Sequence, residues 1–227
     1  MNRLDALRAR ASASARQKAA DRLPARPDQA LRQVQRALES QVRELPREDR
    51  GPVACAAGCA FCCHLRVMAT AVEVFALLDY LHETLSDAEF EAFRERARDT
   101  ATRLAALPEE RLLTINMPCP ALVDGRCSAY AGRPLNCRAY HSLSVEACRE
   151  SFDNPEDLHR GHPQLAPLAR VHGGAQAGLI DALSSHGLDA RQYELASALA
   201  EALDDPETTR ARLAAGEAVF RRARTID

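Results

Sequence analysis

The sequence predicts a mainly α-helical protein built around a central cysteine-rich metal-binding knuckle with one small β-hairpin. Three observations predict it. Of 227 residues 43 are alanine, aromatics are only 4% and tryptophan is absent; alanine favours helices, whereas sheets draw on β-branched and aromatic side chains. Apolar residues recur at spacings of three and four through much of the chain, the period of an amphipathic helix. All eight cysteines fall between Cys55 and Cys148, and both flanks are empty of them.

The length suits one sizeable domain, or one domain with helical appendages. Charged residues make up 27% and no long apolar run occurs, which argues against disorder and against membrane spans. A formal charge of −2 supplies no global electrostatic pull toward nucleic acid. Lys18 is the only lysine. With so much alanine, the arginine-rich composition reads as the bias of a GC-rich bacterial genome, so single arginines are not read as functional.

Residues 1–50 form the expected N-terminal helical arm, with twelve Lys/Arg against seven Asp/Glu. A helix over 2–22 has a weak apolar face. Leu31, Val34, Leu38, Val42 and Leu45 mark a stronger one over 28–45, ended by Pro46. No aromatic residue is interleaved to stack on bases, so the basic surplus reads as a solvated face. Residues 51–150 are the expected metal-binding domain. There 65–69 reads as a short strand, and Thr70 with Glu73 as a capping box for a helix carrying Val74, Phe75, Leu78 and Leu81. Ser86 with Glu89 repeats that signal for a helix running to about Leu107. Asp124-Gly125 predicts a tight hairpin between Leu122-Val123 and Arg126-Cys127. In 151–227 the expectation is a long irregular connection over 151–175, then helices over 176–186, 190–203 and 206–224. Gly174 and Gly178 read as close helix packing.

The chemistry lies in the cysteines. The first cluster is Cys55, Cys59, Cys62 and Cys63, followed by His64; the second is Cys119, Cys127 and Cys137, with Cys148 further on. The opening residues Met1 to Asp5 form a charged helical pattern without an apolar leader, although the Arg/Ala/Ser content faintly resembles an organellar transit peptide. A cytoplasmic location is therefore expected, where clustered thiols point to metal or redox chemistry rather than disulfides. Spacings of two or three residues let one turn present several sulfurs to one ion. If the first cluster is helical, Cys55, Cys59 and Cys62 share a face. Cys62 and Cys63 then point about 100° apart, so one of them serves a second ion, stays free or packs as a small hydrophobe. The pair Cys59 and Cys62 is also a C-x-x-C redox spacing, but no βαβ context surrounds it.

The C-x3-C-x2-C-C run, Cys119-Pro120, Asp124-Gly-Arg-Cys127 and Tyr130-x-x-Arg133-Pro-x-x-Cys137-Arg138 together resemble the YkgJ-type cysteine-cluster family, described as zinc- or iron-chelating CxxCxxCC domains. The resemblance covers about 51–148. It implies a zinc- or iron-chelating site; the close clustering itself points to a metal role for at least four of the eight cysteines, rather than packing as small buried hydrophobes. One relative of that family, flagellin lysine N-methylase, carries a similar cluster, so a protein-modifying enzyme enters as an implication. The first cluster also looks like the loop of radical S-adenosylmethionine enzymes, but too few strands follow to build their barrel.

Thiolates suit zinc and iron–sulfur clusters alike. Eight cysteines can make one four-cysteine cluster with spare thiols or two four-cysteine zincs; the tight first cluster and its apolar neighbours Phe61 and Leu65 lean the reading to iron–sulfur. His64, Tyr130, Arg133 and Arg138 are candidates for residues supporting the ligands, the arginines through cluster sulfurs or through backbone carbonyls. Tyr130 and Tyr140 are expected in the knuckle core. His64 and His141 sit beside cysteine motifs, and His159, His162 and His172 fall in the expected loop. The functional expectation is a metal-binding protein for sensing, electron transfer or protein-partner binding. The alternatives are a lysine N-methylase-like enzyme and a metal store or chaperone. No membrane or nucleic-acid partner is expected.

Overall fold

The structure, a computed structural model, describes residues 2–56 and 58–226. It is mainly α with a small hairpin. Helix α1 (Arg3–Ala20) has a weak apolar moment, and its buried face is the alanine stripe Ala11, Ala15 and Ala19. That stripe lies against α8 (Ala166–Ser185). The two helices approach closely because Gly174 and Gly178 carry no side chain there: a Cβ on Gly174 would stand 2.8 Å from Ala11 Cβ, and one on Gly178 2.8 Å from Ala15 Cβ. The expectation for this glycine pair holds. Helix α2 (Pro27–Glu44) begins with proline in its first turn, where the missing N–H costs nothing, and buries Leu31, Val34 and Leu38 as the spacing predicts. The short α3 (Arg47–Arg50) follows.

Both predicted capping boxes form. Thr70 starts α4 (Ala71–Thr84) and Ser86 starts α5 (Asp87–Ala105). Glu73 does more than cap. Its Oε2 accepts from Thr70 N at 2.9 Å and from the Thr70 hydroxyl at 2.8 Å. Its Oε1 accepts from Leu135 N at 2.7 Å, at the start of α6 (Leu135–Ala139). Glu73 is 1% exposed, so its removal leaves buried donors unpaired at two helix starts. We expect Glu73→Ala to cost about 2–4 kcal/mol in urea unfolding, the sum of a lost cap and a lost buried hydrogen bond; a change under about 0.5 kcal/mol would show that neither contact matters.

Two sheets are present among the described residues. The hairpin β2 (Leu122–Val123) and β3 (Arg126–Cys127) pairs Leu122 with Cys127. Its turn residues Asp124 and Gly125 both have positive φ, 48° and 71°, the backbone this tight turn demands. The second sheet was not legible: β1 (Met68–Thr70) pairs antiparallel with β4 (Gln192–Glu194), which pairs with β5 (Thr225–Ile226).

Four sequence expectations are corrected. The strand expected over 65–69 begins only at Met68. The connection expected over 151–175 contains the end of α7 (Val145–Asp153) and the first half of α8. Pro167 sits in the first turn of α8, and Gly173 and Gly174 stay helical in a helix clamped along α1. The helix expected over 190–203 is split into β4 and α9 (Leu195–Asp204), with Glu194 accepting from Ala196 N and Ser197 N. The helix expected to 224 stops as α10 (Pro206–Ala215) at Gly216, whose φ of 71° is left-handed. Beyond it the buried Glu201 carboxylate takes the N–H groups of Arg221, Arg222 and Ala223 at 2.7, 2.8 and 3.1 Å. Asp189 takes that of Val219 at 2.9 Å. These side-chain acceptors hold the segment without helical hydrogen bonds. One hydrophobic core joins residues from Ala11 to Ala223.

Candidate metal centre

Five cysteines from four separate segments line one cavity of about 600 Å³: Cys62, Cys63, Cys119, Cys127 and Cys137. Local structure delivers each. Cys62 and Cys63 sit in a 3-10 turn over Phe61–His64. Backbone hydrogen bonds tie that turn to the next segment, Cys119 N to Cys63 O at 2.8 Å and Met117 N to His64 O at 2.9 Å. The hairpin folds Cys127 back opposite Leu122, and Ser128 N donates to Ala121 O at 2.8 Å. Cys137 rides on α6, which Glu73 and Asn136 hold in place: Asn136 Nδ2 donates to Met68 O at 2.6 Å. The helical arrangement considered for the first cluster does not occur, because Cys55 and Cys59 lie outside any helix or strand. A residue in extended or turn backbone has no i, i+4 face to share.

Electrostatics favour the neutral thiol at Cys62, Cys119, Cys127 and Cys137. Burial raises Cys119 to about 12 and pushes Cys137 higher still. For Cys62 the hydrogen bond with Cys63 acts first and burial second, both upward; for Cys127 burial leads. Arg133, on the cavity wall, opposes the rise at Cys62, Cys127 and Cys137. Neighbouring thiols share low-dielectric space and raise one another, so the anions are unfavourable until a cation offsets them. Among the described residues, no three His, Cys, Asp or Glu side chains converge closely enough to hold an ion as they stand. The donor set itself fits a thiophilic metal: several soft sulfurs line one cavity, with a guanidinium favouring the thiolate form.

The segment also matches a known family. The family model CxxCxxCC, described as a putative zinc- or iron-chelating domain, covers residues 54–157, just under half of the chain. Residues 54–157 are similar to the CxxCxxCC domain. No curated protein and no solved structure matches the chain significantly. No helix among the described residues is long and apolar enough to cross a membrane.

Within the matched segment the remaining cysteines lie to one side. Cys55 Sγ accepts from Ser142 N at 3.3 Å, and Cys148 lies in α7 with the Ser142 side chain as a hydrogen-bond partner. Arg133 and Arg138 act on backbone carbonyls. Arg133 Nε donates to Tyr130 O and Arg138 Nε to Arg133 O, each at 2.9 Å, and Arg138 also reaches Ala131 O. Tyr130 is 61% exposed with the Arg133 guanidinium over its ring, so its expected place in the knuckle core is corrected; Tyr140 is partly buried and lines the cavity.

The histidines divide. Both ring nitrogens of His141 are engaged, Nδ1 with Ala139 O at 2.9 Å and Nε2 accepting from Leu165 N at 3.0 Å. His64 Nδ1 bonds Ala60 O at 3.0 Å while the ring packs on Phe152. His162 stacks on Tyr140, their centroids 4.6 Å apart. His159 is exposed. His172 lies in α8 rather than a loop, and burial lowers its pKa to about 4.

Sequence reasoning missed an amide wall across the cavity. Gln192 Oε1 accepts from Asn136 Nδ2 at 3.0 Å and from Gln176 Nε2 at 3.2 Å. Three amides on three elements carry no spacing signal that could have revealed them.

Proposed function

We propose that the chain is a metal-binding protein in which Cys63, Cys119, Cys127 and Cys137 hold an iron–sulfur cluster, with zinc as the rival occupant. The carrying observation is that thiols from four segments line one cavity. Two features support the cluster. The cavity of about 600 Å³ is far larger than one ion needs, since four sulfurs around a zinc stand only about 2.3 Å from it. Its remaining wall is largely apolar, including Val67, Leu77, Ala121 and Leu195, a setting that suits a cluster's soft sulfurs. Such a cluster supplies one-electron transfer at a potential set by burial and by hydrogen bonds to sulfur, consistent with electron transfer or sensing.

A second reading, a modifying enzyme, is favoured by one observation. The amide wall borders space of the size small-molecule pockets have, and Gln176 Oε1 is buried there without a donor. No residue is assigned a catalytic role.

Anaerobic purification followed by elemental analysis and visible absorption tests the proposal. The expected result is a brown protein with iron and labile sulfide near about four each. A colourless protein with bound zinc replaces the cluster by zinc. A chain that takes up neither metal after reconstitution overturns the function.

A further inference from the structure

Among the described residues, five buried side-chain nitrogen or oxygen atoms lack a hydrogen-bond partner, and three of them belong to residues on the wall of the cysteine cavity: Nε and Nη2 of Arg66 and Oε1 of Gln176. A buried polar atom left unpaired costs its full desolvation, most of all on a charged group, so this concentration asks for an occupant. The Arg66 side chain is only 10% exposed. Its Nη1 donates to Glu109 Oε1 at 2.7 Å, and the other oxygen of Glu109 goes to Arg224 at 2.9 Å. Nε and Nη2 form the side edge of the guanidinium, two parallel donors that match the two oxygens of a carboxylate. Arg66 also borders an adjoining small pocket of about 30 Å³, which shares Cys119 and Leu195 with the cavity and has room for about one small group. The acid on that pocket's wall, Glu194, is already engaged, accepting from Ala196 N at 3.0 Å and Ser197 N at 2.7 Å.

Gln176 asks for the opposite partner. It is 8% exposed on α8, and its Nε2 is spent on Gln192 Oε1 at 3.2 Å. That leaves Oε1 as an acceptor for an N–H. The wall around it is made of neutral amides, so a neutral amide donor meets it without burying a second charge. Gly173, on the same helix, borders the cavity and leaves open the space where a side chain would stand.

We propose that the cavity and its small side pocket bind a small organic carboxylate ending in an amide, with the carboxylate on the Arg66 fork and the amide N–H on Gln176 Oε1. This rests on the reading of the amide wall as the border of a small-molecule space, and it does not depend on the metal. A water offers the fork one oxygen, whereas a carboxylate offers two in the plane of the guanidinium. Both anchors are long side chains, and a turn about their last torsions brings the free edge to the occupant.

Calorimetric titration of the purified full-length chain tests this, with the monoamides of succinic, glutaric and adipic acids as probes and butanoate, pentanoate and hexanoate as their controls. At least one monoamide is expected to bind once per chain, more tightly than the fatty acid of its length. Arg66→Lys keeps the charge and loses the fork, and should weaken that binding by at least about tenfold. Gln176→Met should bring the monoamide down to the affinity of the fatty acid. The proposal is overturned if no probe binds, if Arg66→Lys binds as well as the native chain, if fatty acids bind as tightly as monoamides, or if inorganic phosphate binds ahead of every carboxylate. Should Arg66→Lys lose its far-ultraviolet helix signal, Gln176→Met decides: loss of the amide preference supports the site, and its retention overturns it. Elemental analysis of the same preparation reads the metal separately. Metal without probe binding overturns this inference alone, and probe binding in a chain that takes up no metal overturns only the metal reading.

Discussion

Replacing Cys119 by serine is expected to strip the cavity of its metal and to remove the stabilisation that metal confers. In the proposed centre Cys119 is held beside Cys63 by a 2.8 Å backbone hydrogen bond. Its burial leaves the thiol neutral up to about 12, so only a bound cation makes it a thiolate near neutral pH. Serine keeps the shape and loses the soft donor. A metal present at a thousand times its dissociation constant stabilises the native state by about 4 kcal/mol, or roughly 8–16 °C for a chain of this size. Thermal unfolding of loaded and chelator-treated protein should therefore show that gap in the native chain and none in Cys119→Ser. An equal gap in both would remove Cys119 from the ligand set.

The second large effect concerns a position remote from any sulfur. Gly178→Ala is expected to cost about 3 kcal/mol, the upper part of the range for overpacking. A Cβ there meets the Ser12 carbonyl oxygen, with Ala15 Cβ at 2.8 Å and Arg16 N at 3.0 Å. Two of these are backbone atoms that move only if α1 shifts as a body. Gly173 supplies the control, since a Cβ at that position meets nothing within 4 Å. Gly173→Ala, in the same helix, should stabilise by up to about 1 kcal/mol through helix propensity alone. Urea midpoints for the two variants should move in opposite directions. A shift of the same sign and size in both would mean that the α1–α8 contact is not set by the missing side chain.

Local signals were read correctly where the cause is local. Thr70 with Glu73, Ser86 with Glu89 and Asp124-Gly125 each act within four residues, and each forms as expected. The alternation of Leu31, Val34 and Leu38 likewise needs only one helix and a core. What escaped depends on distant partners. Gln192–Glu194 becomes a strand because Met68–Thr70 and Thr225–Ile226 lie beside it. The segment after Gly216 leaves the helix because Glu201, far back in sequence, offers it acceptors. Gly174 and Gly178 are read as close helix packing, and α1 does lie where their side chains would be, but the composition of 151–175 hides that α8 already begins at Ala166. The cysteine motifs were legible as a metal-binding pattern, and the family match agrees. Their grouping was not, because Cys63 meets Cys119 and Cys55 meets Ser142 across long stretches of chain that no spacing rule spans.

The three-stranded sheet has a consequence for self-association. Its middle strand, β4, is covered on both sides, by β1 of three residues and β5 of two. An exposed strand recruits another molecule by offering a row of unpaired peptide groups, and a long flat row recruits best. Each outward edge here is too short to template such growth. Met68 and Gln192, which border the cavity, thus gain the rigidity of paired strands with little exposure to fibre-like stacking.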